Sequence, residues 1–349
     1  MQGQEPILTG IDPTLAVQAA GLTLSALIEV QTRLRPDHLA VKDAITGYSY
    51  RQLDQRSNRM AHYFTARGIA RGDRIAILSE NRIEYIEVFL AAAKIGAIVA
   101  CQNWRLTLGE LRHCLSLVEP RILLASPRNQ AQAECLADIA PVQMIDDVWV
   151  EALTGYSSSA VPERATPEDG IVILYTSGTT GRPKGVPLSH ANLLHQMRSL
   201  ACVARPEAGD PVLSVLPIWH AYERSAEYYF FSCACSQSYT TIKQLKRDLP
   251  RVRPVVMVTV PRLWEAVQAA GRDRCRVWRQ ANGKSFKLQS VSGYQKGPHQ
   301  MWDWRYSKVK LGTFYSTGVE TTLGGVKYKP DYPAPDGFAE LSEAGYKSI

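Results

Sequence analysis

One run of eleven residues constrains the fold of this chain more than any other: Tyr175-Thr-Ser-Gly-Thr-Thr-Gly-Arg-Pro-Lys-Gly185. An apolar run at residues 171–174 precedes it and predicts a buried strand. Ser189 follows it and is a good N-cap, which predicts that a helix begins there. A strand, a glycine-rich loop and a helix in this order are typical of a phosphate cradle, because glycines let backbone N–H groups turn towards an anion.

The side chains of this run also suit a polyphosphate. Short hydroxyl groups stand among the glycines, and Lys184 adds a point charge. An exposed turn without a ligand is the plain alternative, but the density of donors and the stiff Pro183 beside the lysine argue against it. A P-loop NTPase would need Ser or Thr directly after the lysine, whereas Gly185 stands there.

The run resembles the phosphate-binding motif of the AMP-forming acyl-adenylate enzymes, the superfamily of acyl-CoA synthetases, luciferases and peptide-synthetase adenylation domains. Upstream, Gly72–Tyr85 and Ala93–Ala97 resemble the first core segments of that superfamily in the same order. Periodicity alone predicts a β-α-β unit over residues 72–101 with its helix at Ile83–Ile95, hence a parallel sheet, and a further helix at Gln130–Ile139. The resemblance implies an α/β fold of layered, mostly parallel sheets with flanking helices, of which residues 1–270 form the N-terminal part.

A second informative segment is Pro217-Ile-Trp-His-Ala-Tyr-Glu-Arg224, which follows the predicted strand Val212–Leu216. His220 then lies just past a strand end, where α/β sheets place their sites. A packing histidine is the alternative. The segment resembles the superfamily motif in which an aromatic residue or histidine faces the substrate carboxylate. Together with Glu227–Phe230 it resembles cyanobacterial and plastid acyl–acyl-carrier-protein synthetases and long-chain fatty-acid–CoA ligases, which implies an apolar acyl tunnel.

The resemblance implies a set of site residues and cofactors. ATP and Mg²⁺ are the implied cofactors, Thr176 is the implied magnesium ligand, and His220 and Lys184 are the implied catalytic residues. The implied contacts to the ATP phosphates are Thr176, Ser177, Gly178, Thr179, Thr180, Gly181 and Lys184. The implied reaction activates a fatty acid as acyl-AMP and transfers the acyl group to the thiol of acyl carrier protein or coenzyme A.

Residues 271–349 differ in composition from the rest of the chain. They carry 13 basic and 7 acidic side chains, whereas residues 1–270 carry 27 and 26. Leu, Ile, Val and Phe supply 13 of these 79 residues, below the roughly 20% that a segment needs to bury a core. We expect an irregular basic tail, poorly ordered or the product of a frame shift. An aromatic-interleaved arm for single-stranded nucleic acid is the alternative, although the balanced main body gives no reason to expect a nucleic-acid partner.

Several groups of the superfamily site do not occur in this sequence. The Tyr-Gly-x-Thr-Glu segment for adenine and magnesium, the Thr-Gly-Asp segment for ribose and the late catalytic lysine are all absent. We therefore expect a truncated form of a fatty-acid ligase that is largely inactive alone. Two other functions stay open: a non-catalytic nucleotide- or acyl-binding protein, and a nucleic-acid binder that acts through the tail.

Composition indicates a reducing compartment. The seven cysteines show no disulfide-framework spacing, and Cys233 and Cys235 are expected to be two small apolar residues on a helix rather than metal ligands. No apolar run is long enough to span a membrane, and the first residues lack the basic and apolar regions of a secretory leader, so we expect none. We expect a cytoplasmic protein with possible peripheral membrane contact.

Overall fold

A computed structural model describes residues 22–162, 164–177, 182–194 and 206–259, together with four short strands between residues 300 and 328. The described helices of eight or more residues are α1 (Leu24–Leu34), α2 (Tyr50–Ala66), α3 (Ile83–Ile95), α4 (Leu108–Val118), α7 (Ala221–Ser232) and α8 (Leu245–Val252). Two shorter helices are α5 (Gln130–Glu134) and α6 (Asp147–Ala152), and 3-10 turns span Pro127–Asn129 and Leu153–Gly155. Among the described residues, no helix is long and apolar enough to cross a membrane.

One sheet contains the strands on both sides of residues 178–182. Its strands are β3 (Arg74–Leu78), β4 (Ile98–Gln102), β5 (Ile122–Ala125), β6 (Val142–Met144), β7 (Gly170–Ser177) and β8 (Pro183–Ser189). Their order is β6-β5-β3-β4-β7-β8, and every neighbouring pair is parallel except β7 with β8. Because side chains alternate along a strand, Ile75 and Ile77 of β3 enter one core while Ala76 and Leu78 enter another. The sheet is therefore covered on both faces.

The second sheet shares its core with the first. Its strands are β1 (Leu39–Lys42), β2 (Gly47–Ser49), β9 (Pro211–Ser214), β10 (Ser236–Tyr239), β11 (Val256–Thr259), β12 (Gln300–Asp303) and β13 (Lys310–Thr313). Their order is β13-β12-β11-β9-β10-β1-β2, with a parallel centre and antiparallel margins. Residues of both sheets meet α1, α2, α3 and α7 in one apolar core, so these helices form a layer between the two sheets.

Helix α3 has the bounds that the sequence predicts. Gly96 ends it in the left-handed conformation, with φ of 73°, which glycine adopts without steric cost. Almost every side chain of α3 is buried, including Lys94, which is 1% exposed. The Lys94 ammonium lies 2.7 Å from an Asp54 carboxylate oxygen on α2 and 3.4 Å from a Glu29 oxygen on α1. Three helices of the middle layer are thus joined by one buried cation.

One prediction about secondary structure is wrong. The helix expected at Gln130–Ile139 ends at Glu134, and turns follow it. Within residues 271–349 the structure describes four short strands, β12, β13, β14 (Thr321–Leu323) and β15 (Val326–Tyr328). Strands of three or four residues show too few alternations to be detected in a sequence, and β12 exists by pairing with the distant β11.

Candidate functional site

The described part of the run at residues 175–185 belongs to a β-hairpin. Strands β7 and β8 are antiparallel, with Thr176 opposite Lys184 and Tyr175 opposite Gly185. Thr176 and Lys184 are both exposed, so their side chains are available at the end of the hairpin where the chain passes from β7 to β8. Ser177 is the last residue of β7, and its side chain lies outside the description. Gly178, Thr179, Thr180 and Gly181 lie outside the described residues.

The hairpin corrects the predicted strand–loop–helix layout. Lys184 belongs to a second strand rather than to a loop, and the helix begins only after β8. Ser189 is nevertheless the predicted cap, because its hydroxyl accepts a hydrogen bond from the Asn192 N–H at 3.1 Å. Residues 184–187 are all exposed, as expected of a strand at the edge of a sheet, and such a strand lacks the apolar alternation that would have predicted it.

Three contacts fix the hairpin on its sheet. The Tyr175 hydroxyl accepts a hydrogen bond from Gln102 on β4 and donates one to the Cys114 carbonyl on α4, each at 3.0 Å. The His113 ring lies 3.1 Å from the Pro183 carbonyl at the start of β8. A Cβ on Gly185 would lie 3.1 Å from Ile173, so glycine permits the close approach of β8 to β7. The position of Lys184 is therefore set by the packing beneath it.

The segment that carries His220 is clamped to the edge of the first sheet. Asn81, just past the carboxyl end of β3, donates to the Leu216 carbonyl at 2.6 Å and accepts from the Ile218 N–H at 3.1 Å. The same amide group lies 3.3 Å from the Ser214 hydroxyl at the end of β9. Asn81 thus joins the ends of strands in two different sheets. It is a site-building residue that sequence reasoning missed, although its place after a strand was visible.

His220 precedes α7 as its N-cap residue. Its N–H donates to the Pro217 carbonyl at 3.0 Å, which closes a turn. The imidazole is exposed in terms of surface area, yet neighbouring protein atoms remove enough water to lower its pKa. A neutral imidazole can accept a hydrogen bond at one nitrogen and donate at the other. The structure describes no contact between His220 and the hairpin residues.

A buried carboxyl group supports the same segment from below. Glu223, in the first turn of α7, is 3% exposed and accepts a hydrogen bond from the Ser214 hydroxyl. Burial raises its pKa to about 8, so the carboxyl group is largely protonated at neutral pH. The next residue, Arg224, is fully buried against the rings of Tyr85, Phe89 and Tyr228 and pairs with Glu227. This polar core holds α7 against α3.

Cys233 and Cys235 are buried, as predicted of small apolar residues, and form no disulfide with another described cysteine, but they lie in the turn after α7 rather than within a helix. Across the described ranges, no group of three or more His, Cys, Asp or Glu side chains could hold a metal ion. Thr176 offers a single neutral oxygen. Because Mg²⁺ keeps several waters and binds substrate phosphates, one hydroxyl suits it only as a supplement to those ligands.

The sequence is similar to those of two plant proteins. A probable chloroplastic acyl-activating enzyme 16 of Arabidopsis thaliana is 30% identical over 267 residues, which are 66% of this chain and 37% of that protein. The chloroplastic long-chain-fatty-acid–[acyl-carrier-protein] ligase AEE15 of the same plant is 31% identical over 255 residues, which are 63% of this chain and 34% of the length of AEE15. This chain therefore spans about a third of the length of these curated relatives.

The fold has a counterpart among solved structures. A fatty acyl CoA synthetase of Mycobacterium tuberculosis superposes with a TM-score of 0.61 at 22% identity, over 65% of this chain and 47% of that one. The predicted α/β fold with parallel sheets is thereby confirmed. The profile of the AMP-binding enzymes matches residues 28–316, which includes the hairpin, the His220 segment and the strands β12 and β13. The chain belongs to the AMP-binding enzyme family.

Proposed function

We propose that this chain is part of a fatty-acid-activating ligase. It would supply the hairpin that binds the phosphates of ATP and the His220 segment that faces the carboxylate of the fatty acid. Two features support the proposal: the exposed Thr176–Lys184 pair on an anchored hairpin, and a His220 segment clamped at the same carboxyl edge of the sheet. Family membership implies the use of ATP. The relative AEE15 acts, by its name, on long-chain fatty acids with acyl carrier protein as acceptor.

The proposed reaction has two steps. A carboxylate oxygen of the fatty acid attacks the α-phosphorus of ATP, the α–β phosphoanhydride bond breaks, and pyrophosphate leaves. The thiol of acyl carrier protein or coenzyme A then attacks the acyl carbon, AMP leaves, and the thiol proton goes to solvent. Lys184 would neutralise charge on the β- and γ-phosphates, and the N–H and hydroxyl groups of residues 176–181 would donate hydrogen bonds to them. His220 would orient the carboxylate for in-line attack.

Magnesium is proposed as a companion of the nucleotide. It would supply charge neutralisation between phosphate oxygens, and Thr176 would contribute one hydroxyl oxygen from the hairpin. The remaining ligands would be phosphates and water. This assignment predicts that Thr176→Val lowers the affinity for Mg-ATP more than the affinity for ATP in the presence of a chelator.

We propose that the chain alone binds nucleotide but turns over little. The adenine, ribose and late-lysine motifs are absent from its sequence. Because each electrostatic donor of this kind contributes about 3 kcal/mol to the transition state, their joint absence should suppress the rate by many orders of magnitude. The remaining function would then be that of a nucleotide- and acyl-binding protein, the second function left open by the sequence.

The test separates binding from turnover. Isothermal titration with ATP should detect binding to the purified chain, and Lys184→Ala should weaken it about tenfold or more. Lys243→Ala, which removes an exposed lysine from another connection, is the matched control and should bind as the wild type does. Fatty-acid-dependent ATP–pyrophosphate exchange should be undetectable. Measurable exchange would contradict the inactivity, and unchanged binding by Lys184→Ala would contradict the phosphate site.

The division of the chain at residue 270 is part of the proposal. Residues 1–270 would carry the adenylating half, and residues 271–349 would be an atypical basic segment. DNA sequenced across codons 260–349 and translated in three frames tests this division. A frame that continues with the missing motifs would support the frame-shift hypothesis. If none does, salt-dependent binding of single-stranded nucleic acid by the full chain, abolished by deleting residues 271–349, would favour the third function.

The proposal extends to contact between this chain and membranes. The names of both plant relatives place those proteins in the chloroplast. A fatty-acid substrate partitions into bilayers, so we propose peripheral contact of this chain with membranes. Co-sedimentation with liposomes that contain oleate should recover the chain, and its absence from the pellet would contradict the contact.

A further inference from the structure

An aromatic and cationic surface lies next to the His220 segment. Trp104 follows β4, Trp219 directly precedes His220, and their rings meet edge to face at 5.7 Å with an interplanar angle of 80°. The Arg105 guanidinium lies 5.2 Å from the Trp104 ring centre and 5.7 Å from that of Trp219. The Arg128 guanidinium lies 4.4 Å from the Trp104 ring centre. We call these four residues the arginine–tryptophan patch.

Three separate connections build the patch. Trp104 and Arg105 come from the β4–α4 connection, Arg128 from the 3-10 turn after β5, and Trp219 from the β9–α7 connection. One side-chain amide holds the backbone beneath the patch, because Gln132 donates a hydrogen bond to the Trp104 carbonyl at 3.3 Å. Because parallel strands end at one edge of a sheet, the patch lies at the edge where ligands of such sheets bind.

No ion pair among the described residues neutralises the positive charge of the patch. Arg105 and Arg128 are both exposed, and neither forms an ion pair within the parts of the chain that the structure describes. The nearby carboxylate of Glu80 accepts hydrogen bonds from Ser126 and Asn129 instead. Residues 1–270 are nearly balanced in charge, so the two guanidinium groups are a local feature and not part of a broad basic face suited to nucleic acid.

Stacking prepares these guanidinium groups for an anion. Each contact with an indole attracts the guanidinium group to the ring and restricts a side chain that would otherwise lose entropy on binding. A guanidinium that lies over a ring still presents N–H groups at its edge, in the fork that matches a carboxylate. Two such groups over one indole suit a surface with several carboxylates, and Trp and Arg are the residues that dominate protein interfaces.

We propose that the arginine–tryptophan patch docks the acidic face of the carrier protein whose thiol accepts the acyl group. This inference rests on the proposed function and assigns the acceptor, which the sequence leaves open. Trp219 neighbours His220, so a carrier seated on the patch would bring its thiol arm to the acyl carboxylate. Coenzyme A, which presents phosphates but no protein surface, is the competing occupant that the experiment separates.

The experiment measures binding of the full chain to apo acyl carrier protein, which lacks the thiol arm and so reports the protein surface alone. Biolayer interferometry at low and high salt should show salt-weakened binding, because the contact is between charges. The double variant Arg105→Glu/Arg128→Glu should weaken it about tenfold or more. The control Arg33→Glu/Arg164→Glu makes the same charge change at two exposed arginines elsewhere and should bind as the wild type does.

A second double variant and a folding control complete the experiment. Arg105→Lys/Arg128→Lys keeps the charge but loses the planar fork, and it should lie between the wild type and the double glutamate variant. Circular dichroism melting verifies that the variants are folded. No binding of the carrier by the wild type, or equal binding by the wild type and the glutamate variant, would overturn the inference. So would loss of coenzyme A binding in a variant that still binds the carrier. ATP binding is measured separately and tests the proposed function. Failure of the carrier to bind would therefore overturn this inference without deciding the proposed function.

Discussion

Among single residues, Glu223 has a buried carboxyl group that burial keeps protonated near neutral pH. Its pKa rises from 4.5 to about 8, so the folded state binds a proton that the unfolded state has released between those values. The contribution of Glu223 to stability is therefore complete below about pH 4.5 and is lost as pH rises through about 8. Within that window each pH unit removes up to about 1.4 kcal/mol.

The matched change is Glu223→Gln, which keeps the size of the side chain and cannot ionise. We expect its free energy of unfolding to exceed that of the wild type at pH 8–9 and to approach it at pH 5. Urea denaturation at each pH measures the difference, with Glu151→Gln on α6 as a surface control. If the wild type and Glu223→Gln differ by the same amount at pH 5 and pH 9, the carboxyl group does not titrate as described.

Asn81 is the residue on which the His220 segment depends. Its amide contacts both the Leu216 carbonyl and the Ile218 N–H, and an alanine would leave both groups without that partner. Asn81→Ala should loosen the segment and admit water, so the pKa of His220 should rise towards its ordinary value of 6.5. NMR titration of the imidazole protons, assigned with His220→Gln, measures this change. An unaltered pKa in a folded Asn81→Ala protein would mean that the clamp does not set the surroundings of His220.

At the scale of elements, the buried Lys94 joins α1, α2 and α3 through two unequal contacts. Asp54 is 2.7 Å away and 17% exposed, whereas Glu29 is 3.4 Å away and 44% exposed. Asp54→Ala should lower the free energy of unfolding by about 3 kcal/mol, because it leaves a buried ammonium poorly compensated. Glu29→Ala is the matched control and should cost under about 1 kcal/mol. Equal costs in thermal or urea denaturation would show that the distance and burial of the two partners do not decide their roles.

Elements with local signals were predictable and elements made by distant contacts were not. Helix α3 has its predicted bounds because an apolar run ends at Gly96, whose left-handed conformation stops the helix. Strand β8 was missed because it is an edge strand with four consecutive exposed residues. The run at residues 175–185 was recognisable from its order of glycines and hydroxyls. The Asn81 clamp and the arginine–tryptophan patch were not, since each joins connections that are far apart in sequence.

At the scale of the whole molecule, the two sheets depend on the layer of helices between them and on strand partners from the end of the chain. Strand β11 is fully buried, and its outer neighbour is β12, with Val256 opposite Asp303. A chain shortened to residues 1–299 should expose the apolar edge of β11 and associate through it. A chain shortened to residues 1–328 keeps β12 to β15 and should remain monodisperse. Light scattering after size-exclusion chromatography compares the two, and equal behaviour would show that β12 does not protect the sheet.

Strand β8 closes the first sheet, and two of its seven residues are prolines. Pro183 lies opposite Ser177 and Pro187 lies opposite Ile173, so neither can offer an N–H to a further strand. A further strand paired with β8 would lack a hydrogen bond at each of these two positions, which disfavours extension of the sheet past β8. The outer margin of the hairpin is therefore a poor template for the backbone of another polypeptide.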